Sequence, residues 1–362
     1  MRTIRITGTG SALPGRIVTN KELEQLVETS DEWIRERTGI AERHVSVGET
    51  VVTLASEAAR KALEQAGKTA EEIDLILVAS CSPEQYLPCC ACQVQAAIGA
   101  VNALAFDVNA ACSGFLFALN TADVYLRTGL AENALVIGSE VLSKLVDWTD
   151  RGSCILFGDG AGAVVVERCR TESRAVEYSN ALPETEKGMQ ETAEEKRIPA
   201  AGILGRALHS DGTGGGVLQC GARELTTPYA RTSAAKTDQK QQTDDREHYI
   251  QMDGQEVYRF ATRRVPQCIE EALSDAGLAV PDIDMFVLHQ ANARIIDAVA
   301  KRLHADRDKF PTNLERVGNM SSASIPVLLD ELNRQRKLHR GDRIVLAGFG
   351  AGLTIGACVM TW

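Results

Sequence analysis

The feature that most restricts how this 362-residue chain can fold is an internal repeat. The segment ALEQAGKTAEEIDLILVAS from Ala62 reads like ALSDAGLAVPDIDMFVLHQ from Ala272, at a constant offset of 210 residues. Ala62/Ala272, Leu63/Leu273, Ala66/Ala276, Gly67/Gly277, Ile73/Ile283 and Asp74/Asp284 recur in register. Each copy predicts an amphipathic helix, a glycine stop, a short linker and an apolar, β-rich strand. NALVIGSE and DRIVLAGFG add a second pair of buried-strand runs, followed by FGDGAGAVVVE and GAGLTIGACVMTW. Alternating helices and apolar strands predict two related α/β halves, with mixed sheets covered on both faces. The polar tracts at about 170–202 and 229–248 read as surface insertions. The expected organisation is an N-terminal half over 1–170, a connecting region with the insertions over 171–249, and a C-terminal half over 250–362.

Composition narrows the function classes. A net charge of −10 argues against nucleic acid as the main partner, because neutralising phosphates needs a basic surface. No run approaches a membrane span and MRTIRITGTG lacks the apolar stretch of a signal peptide, so a cytoplasmic protein with no membrane partner is expected. Its ten cysteines are then expected to be reduced.

Chemistry enters at FDVNAACSGFLFAL, residues 106 to 119, where an alternating strand pattern gives way to helical spacing. Cys112 sits at that strand-to-helix turn, where helix N–H groups are expected to stabilise a thiolate and pull the thiol pKa down. His289 stands at the end of the apolar run FVLH, at the repeat position occupied by Ala79. Asn319 lies in the small-residue loop of GNMSSASIP, with Pro326 near the start of the next helix. Taken singly, these read as a buried structural cysteine, a hydrogen-bonded core histidine and a turn asparagine. Three polar residues at three loop-to-helix junctions of a two-halved α/β chain are instead what converging strand ends supply to one site.

The chain resembles the β-ketoacyl-acyl carrier protein synthase III family of the thiolase-like superfamily. The resemblance runs from ITGTGSALPGRIVTN through TSDEWIRERTGIAERH, DVNAACSGF, TDRGSCILFGDGAGAVV, HQANARII and GNMSSASIP to GFGAGLTIG, leaving out only the polar tracts. It implies an α/β fold of duplicated βαβαβαββ halves in α-β-α-β-α layers. It implies that an acyl-CoA primer acylates Cys112, and that His289 and Asn319 hydrogen-bond the thioester carbonyl of malonyl-acyl carrier protein as carbon dioxide leaves. The carbanion would attack the acyl group to give 3-oxoacyl-acyl carrier protein, with the Cys112 and Ala351 amides as oxyanion hole. The chemistry requires no metal and no cofactor. Trp33 and Arg151 would hold the coenzyme A adenine, Arg37 its phosphates and Asn292 the pantetheine arm. Arg259, Arg294, Lys301 and Arg302 would dock the acidic carrier protein, and Cys81, Leu87, Leu142 and Phe157 would form the primer pocket. A homodimer is implied through the loop around Leu87.

Three positions depart from the family's habits. Leu87 replaces a frequent aromatic residue, Cys81 a common threonine and Ile355 a frequent tryptophan, so primers larger than acetyl are expected. Cys89, Cys90 and Cys92 contain one C-x-x-C spacing without a second pair or a histidine at ligand spacing, which argues against zinc. FGDGAGA and HSDGTGGG lack the lysine and context of phosphate loops, and read as tight turns and close backbone packing. Three alternatives stay open: a papain-like hydrolase, disfavoured by the repeat; a superfamily acyltransferase or condensing enzyme of secondary metabolism, of polyketide or alkylquinolone type; and a silent homologue acting as a binding partner.

Overall fold

The computed structural model describes residues 2–170, 202–221 and 248–362, so the polar tracts at about 170–202 and 229–248 lie almost wholly outside the described residues. The first half comprises β1 (Arg2–Ala12), β2 (Arg16–Thr19), α1 (Asn20–Leu23), α2 (Asp31–Thr38), β3 (Glu42–Val45), α3 (Val51–Ala66), β4 (Leu75–Ala79), α4 (Cys90–Ile98), β5 (Leu104–Val108), α5 (Gly114–Thr128), β6 (Asn133–Glu140), α6 (Arg151–Cys154) and β7 (Gly160–Arg170). The second comprises β8 (Gly202–Ser210), β9 (Leu218–Gln219), β10 (Gln251–Met252), α7 (Gly254–Ala276), β11 (Met285–Leu288), α8 (Ala293–Arg302), α9 (Leu314–Val317), α10 (Ser324–Arg334), β12 (Arg343–Gly350) and β13 (Thr354–Thr361). Among the described residues, no helix is long and apolar enough to cross a membrane.

Each repeated residue has a matching job in the two halves. Gly67 and Gly277 end α3 and α7 in the left-handed region, at φ 65° and 67°, where a side chain would be strained. The Asp74 carboxylate accepts from the Asn133 amide and the Asp284 carboxylate from the Arg343 amide, pinning equivalent strand starts. The repeated alanines let helix and strand backbones close up. A Cβ added at Gly8 of β1 would lie 2.2 Å from the Ala62 carbonyl, and one at Gly205 of β8 would lie 2.3 Å from that of Ala272.

Beside the two-stranded pairs β2-β3 and β9-β10, two large sheets result among the described residues, ordered β1-β7-β6-β4-β5 and β11-β12-β13-β8. Both are mixed: β4 runs parallel to β5 and β6, and β11 parallel to β12, while the other neighbours are antiparallel. Strand alternation then assigns the layers. Leu75 and Leu77 join α5 and α10 in a central core, whereas Ile76 and Val78 join α3 and α4 outside it. Ile344 and Leu346 likewise face the centre, and Val345 and Ala347 face α7 and α8. These are the expected α-β-α-β-α layers, with α5 and α10 dry between the sheets.

Two expectations need correction. The edge strand β8 of the second sheet lies within 171–249, so that span is not merely a connecting region. The second half also lacks, among the described residues, the third strand of a full βαβαβαββ unit. The chain there folds as α9 and then pairs across to the first half, through Asn319 N–H to the Leu156 carbonyl at 2.9 Å and Gly158 N–H to the Asn319 carbonyl at 3.0 Å. Its backbone groups are satisfied by the other half rather than by its own sheet. Close packing at FGDGAGA is borne out, since a Cβ at Gly158 or Gly162 would lie 2.4 or 2.5 Å from backbone atoms. HSDGTGGG is looser, with no neighbour near Gly212 or Gly216.

Gly205→Ala should destabilise the chain by about 1–3 kcal/mol, because the new methyl overpacks against the α7 backbone. Urea denaturation measures this; an unchanged midpoint would show that the strand and helix are not in close contact.

Candidate active site

Cys112 lies in a 3-10 turn, Ala111–Ser113, between β5 and α5. The preceding Ala111 has φ 46°, a backbone that non-glycine residues seldom adopt. The repeat places Ser321, at φ 47°, in the equivalent turn before α10, so Ser322 is the counterpart of Cys112. The end of β12 presses on the Cys112 backbone: a Cβ at Gly350 would lie 2.6 Å from the Cys112 amide nitrogen. That approach needs glycine, and it brings Ala351 to the same cavity wall as Cys112.

His289 follows β11, buried to 3 % exposure, with its ring edge-on to Phe349 at 5.6 Å. Its Nδ1 is sealed without a hydrogen-bond partner, which leaves Nε2 as the nitrogen able to meet a ligand. Burial pushes the imidazole down to about 3, so the ring is neutral at physiological pH. The Asn319 Oδ1 accepts from the Ser321 amide at 2.9 Å, so the carboxamide offers its NH2 group as donor. Cys112, His289 and Asn319 line one cavity of about 1000 Å³, as the sequence led us to expect.

The expected thiolate is not what the structure supports. Burial pushes the Cys112 thiol up to about 12, while hydrogen bonds from the Ser321 hydroxyl and its own amide pull the other way. Desolvation at the centre of the molecule outweighs the helix N-terminus, and the resting sulfur is a neutral thiol.

A second cavity of about 440 Å³ extends beyond Cys112, with Cys81, Leu142 and Phe157 in its wall beside Leu218, Cys220 and Ile250. Leu87 does not line this cavity within its own chain: it stands 84 % exposed on the loop before α4, next to the exposed Tyr86. Ile355 faces a separate cavity of about 310 Å³ and packs in the outer core, so it does not bound the space near Cys112. Cys89 caps α4, Cys90 is buried and Cys92 exposed, and no metal-holding group of three ligands occurs among the described residues. All ten cysteines, each in the described segments, are unpaired.

At the mouth, the guanidinium of Arg151 lies 4.9 Å and that of Arg37 5.7 Å from the Trp33 ring centre. A purine between Trp33 and Arg151 requires ~7 Å, two van der Waals layers, so these side chains must part to admit one. Asn292 caps α8 through the Arg294 amide at 2.8 Å and donates to the Arg37 carbonyl at 3.0 Å, tying it to the helix that carries Trp33. Arg259 and Arg294 share a groove with Tyr258 next to the main cavity, and Arg294 lies 5.9 Å from the Tyr258 ring centre. Lys301 and Arg302 are exposed at the far end of α8.

Sequence reasoning passed over Glu140 and Ser321. Glu140 is fully buried at the end of β6, and Ser321 lies between Asn319 and the counterpart of Cys112. The repeat held the signal: Glu140 occupies the register position of Gly350, a carboxylate where the other half requires no side chain.

Two segments match family profiles: residues 106–181 that of 3-oxoacyl-[acyl-carrier-protein (ACP)] synthase III, and residues 273–362 that of its C-terminal region. The chain is 44% identical over its whole length to a beta-ketoacyl-[acyl-carrier-protein] synthase III of Clostridium acetobutylicum, of which it covers 99%. Among solved structures it is similar to 3-oxoacyl-[acyl-carrier-protein] synthase III of Aquifex aeolicus, at 38% identity and TM-score 0.83, covering 99% of this chain and 100% of that one. It is also similar to the priming beta-ketosynthase of the R1128 polyketide biosynthetic pathway, at 33% identity and TM-score 0.83, covering 99% and 96% of the two chains.

Alkylation of Cys112 by iodoacetamide should keep accelerating as pH rises to at least pH ~10, because the thiolate fraction is still growing there. A rate that levels off near neutral pH would show an ionised sulfur and contradict the burial argument.

Proposed function

The chain belongs to the β-ketoacyl-[acyl-carrier-protein] synthase III family of acyl-transferring condensing enzymes, and from that premise we propose how its own residues start fatty acid synthesis. Cys112 takes an acyl group from acyl-CoA, and malonyl-acyl carrier protein then enters the same cavity. The Nε2 edge of His289 and the NH2 group of Asn319 hydrogen-bond its thioester carbonyl. Preorganised donors in a dry site stabilise the enolate formed as carbon dioxide departs, commonly by about 3–4 kcal/mol each. The enolate carbon attacks the acyl-Cys112 carbonyl, whose oxyanion is held by the Cys112 and Ala351 amides. Collapse releases 3-oxoacyl-acyl carrier protein. The observation that carries this reading is the convergence of Cys112, His289 and Asn319 on one cavity from both halves of the repeat. A locked carboxamide donor suits enolate formation, which a simple acyl transfer does not require.

Trp33 and Arg151 part to take the adenine of coenzyme A at the cavity mouth in this reading, Arg37 meets its phosphates, and Asn292 lies beside the pantetheine path. Arg259 and Arg294 flank that mouth, and Lys301 and Arg302 extend the positive surface along α8, which suits an acidic carrier protein. The space beyond Cys112, walled by Cys81, Leu142 and Phe157, is larger than an acetyl group needs and supports longer or branched primers. A homodimer is supported by the free edge of β5, where Leu104 is 53 % exposed near Val101 at 75 % and the Leu87 loop. The similarity to a priming ketosynthase of polyketide synthesis keeps one second reading: the same chemistry with the product destined for polyketide chains.

Asn319→Ala should still gain the acyl mass of the primer on Cys112, while condensation falls by about 10²–10³-fold. Mass spectrometry and product assay separate the two steps; equal loss of both would contradict the assigned roles. With a panel of acyl-CoA esters, turnover should extend past acetyl-CoA, and activity confined to acetyl-CoA would refute the primer reading.

A further inference from the structure

Glu140 is a buried titratable group that condensation itself leaves unused, and the hydrogens around it fix its protonation state. Its Oε2 is met by donors. The Ser82 hydroxyl lies 2.5 Å away and already accepts from the Val141 amide at 2.9 Å, so its hydrogen goes to Glu140. The Ser80 hydroxyl, at 3.2 Å, accepts from the Ser82 amide in the same way, and the Cys81 amide donates at 3.1 Å. Oε1 has a further neighbour. Ser322 Oγ lies 2.8 Å from Oε1 and 2.8 Å from the Ala79 carbonyl oxygen. A hydroxyl carries one hydrogen, and a backbone carbonyl only accepts. Two bonds of that length need two hydrogens, because facing oxygens with none between them repel. The second hydrogen must therefore sit on Glu140.

The surroundings agree with a neutral acid. Glu140 is fully buried, and no lysine or arginine forms an ion pair with it among the described residues. Burial raises its pKa above the usual carboxylate range, while the serine hydroxyls that donate to it pull the other way. Cys81 Sγ, 3.5 Å from both oxygens, is the titratable group beside it, and burial keeps that thiol neutral too. The hydrogens then run in one direction, from Glu140 Oε1 to Ser322 Oγ and from Ser322 Oγ to the Ala79 carbonyl. An ionised Glu140 would leave Ser322 with two acceptors to serve and one hydrogen for them.

What Glu140 grips is the turn that carries a donor of the site. Ser322 belongs to the 3-10 turn Ser321–Ala323, and Ser321 stands at φ 47°, a conformation that persists only where the surroundings over-determine it. The Ser321 amide donates to Asn319 Oδ1 at 2.9 Å, the bond that leaves the Asn319 NH2 group free for a ligand in the cavity. We propose that Glu140 is a positioning residue: as a neutral carboxylic acid it donates to Ser322, holds the strained turn, and so aims the Asn319 carboxamide at the malonyl thioester. Glu140 lines neither cavity at Cys112 and acts through Ser322. It occupies the repeat position of Gly350, so the half that supplies the nucleophile also supplies the brace for the other half's donor. The role given to Asn319 rests on the condensing reading, whereas the proton on Glu140 does not.

Infrared difference spectroscopy of wild-type and Glu140→Gln protein at neutral pH tests the proton without any substrate. Loss of the C=O stretch of a protonated acid is expected; loss of ionised-carboxylate bands alone overturns the neutral acid. Positioning is read in two steps, acylation of Cys112 by acetyl-CoA and condensation of the pre-acylated enzyme with malonyl-acyl carrier protein. Wild-type protein that never acylates or never condenses removes the condensing reading, and with it the part given to Glu140. Given wild-type activity, Glu140→Ala should cut condensation by about 10–100-fold, as a misplaced group does, and leave acylation near the wild-type rate. Glu140→Gln should condense at close to the wild-type rate, because its NH2 replaces the acid's hydrogen and its oxygen still accepts from Ser80, Ser82 and Cys81. A Glu140→Gln protein as slow as Glu140→Ala, or equal loss of both steps in Glu140→Ala, overturns the proposal. Should Glu140→Ala fail to fold, Ser322→Ala, which removes only the link to the turn, decides: slowed condensation with intact acylation supports positioning, and unchanged condensation overturns it.

Discussion

Everything in this molecule depends on the close approach of the two turns that begin α5 and α10 at its dry centre. Glycine makes that approach possible. A Cβ at Gly138 would lie 2.2 Å from the Ser322 carbonyl, and one at Gly350 would lie 2.6 Å from the Cys112 amide. Each strand end therefore touches the other half's turn at backbone range. Cys112 and the groups around it are held by backbone packed at interior density.

The repeat also explains why there is one site and not two. Where one half has Cys112, the other has Ser322; where one has His289, the other has Ala79; where one has Gly350, the other has Glu140. The pseudo-equivalent space behind Ser322 is filled by the Glu140 carboxyl group, bonded to Ser80, Ser82 and Ser322. Duplication supplied two equal cradles. Divergence left one open to a cavity and packed the other with polar groups.

Burial sets the chemistry in the same way as it sets the packing. It keeps His289 neutral, so the ring can offer a hydrogen bond without carrying a charge. It keeps Cys112 protonated, which makes the sulfur less open to adventitious reaction. The helix N-terminus, taken from sequence as the dominant influence on the sulfur, is a lesser contribution once water is excluded.

Much was legible in the sequence because the signals were local or periodic. Apolar runs, glycine stops and the 210-residue offset marked both halves; small-residue turns marked Cys112 and Asn319, and the end of an apolar run marked His289. What remained hidden involved contacts between distant segments, with no local pattern to announce them. Leu87 stands on an exposed loop away from its own chain's cavity, and Ile355 faces another cavity. β8 was unreadable as part of the second sheet because strand partnership across more than a hundred residues leaves no trace in its own sequence. The amino-acid order by itself determined two α/β halves and which side chains carry reactive atoms. Only the tertiary structure decided that the sulfur is protonated and that Glu140 and Ser321 lie behind it, because desolvation and hydrogen bonding belong to the packed interior and not to any one stretch of chain.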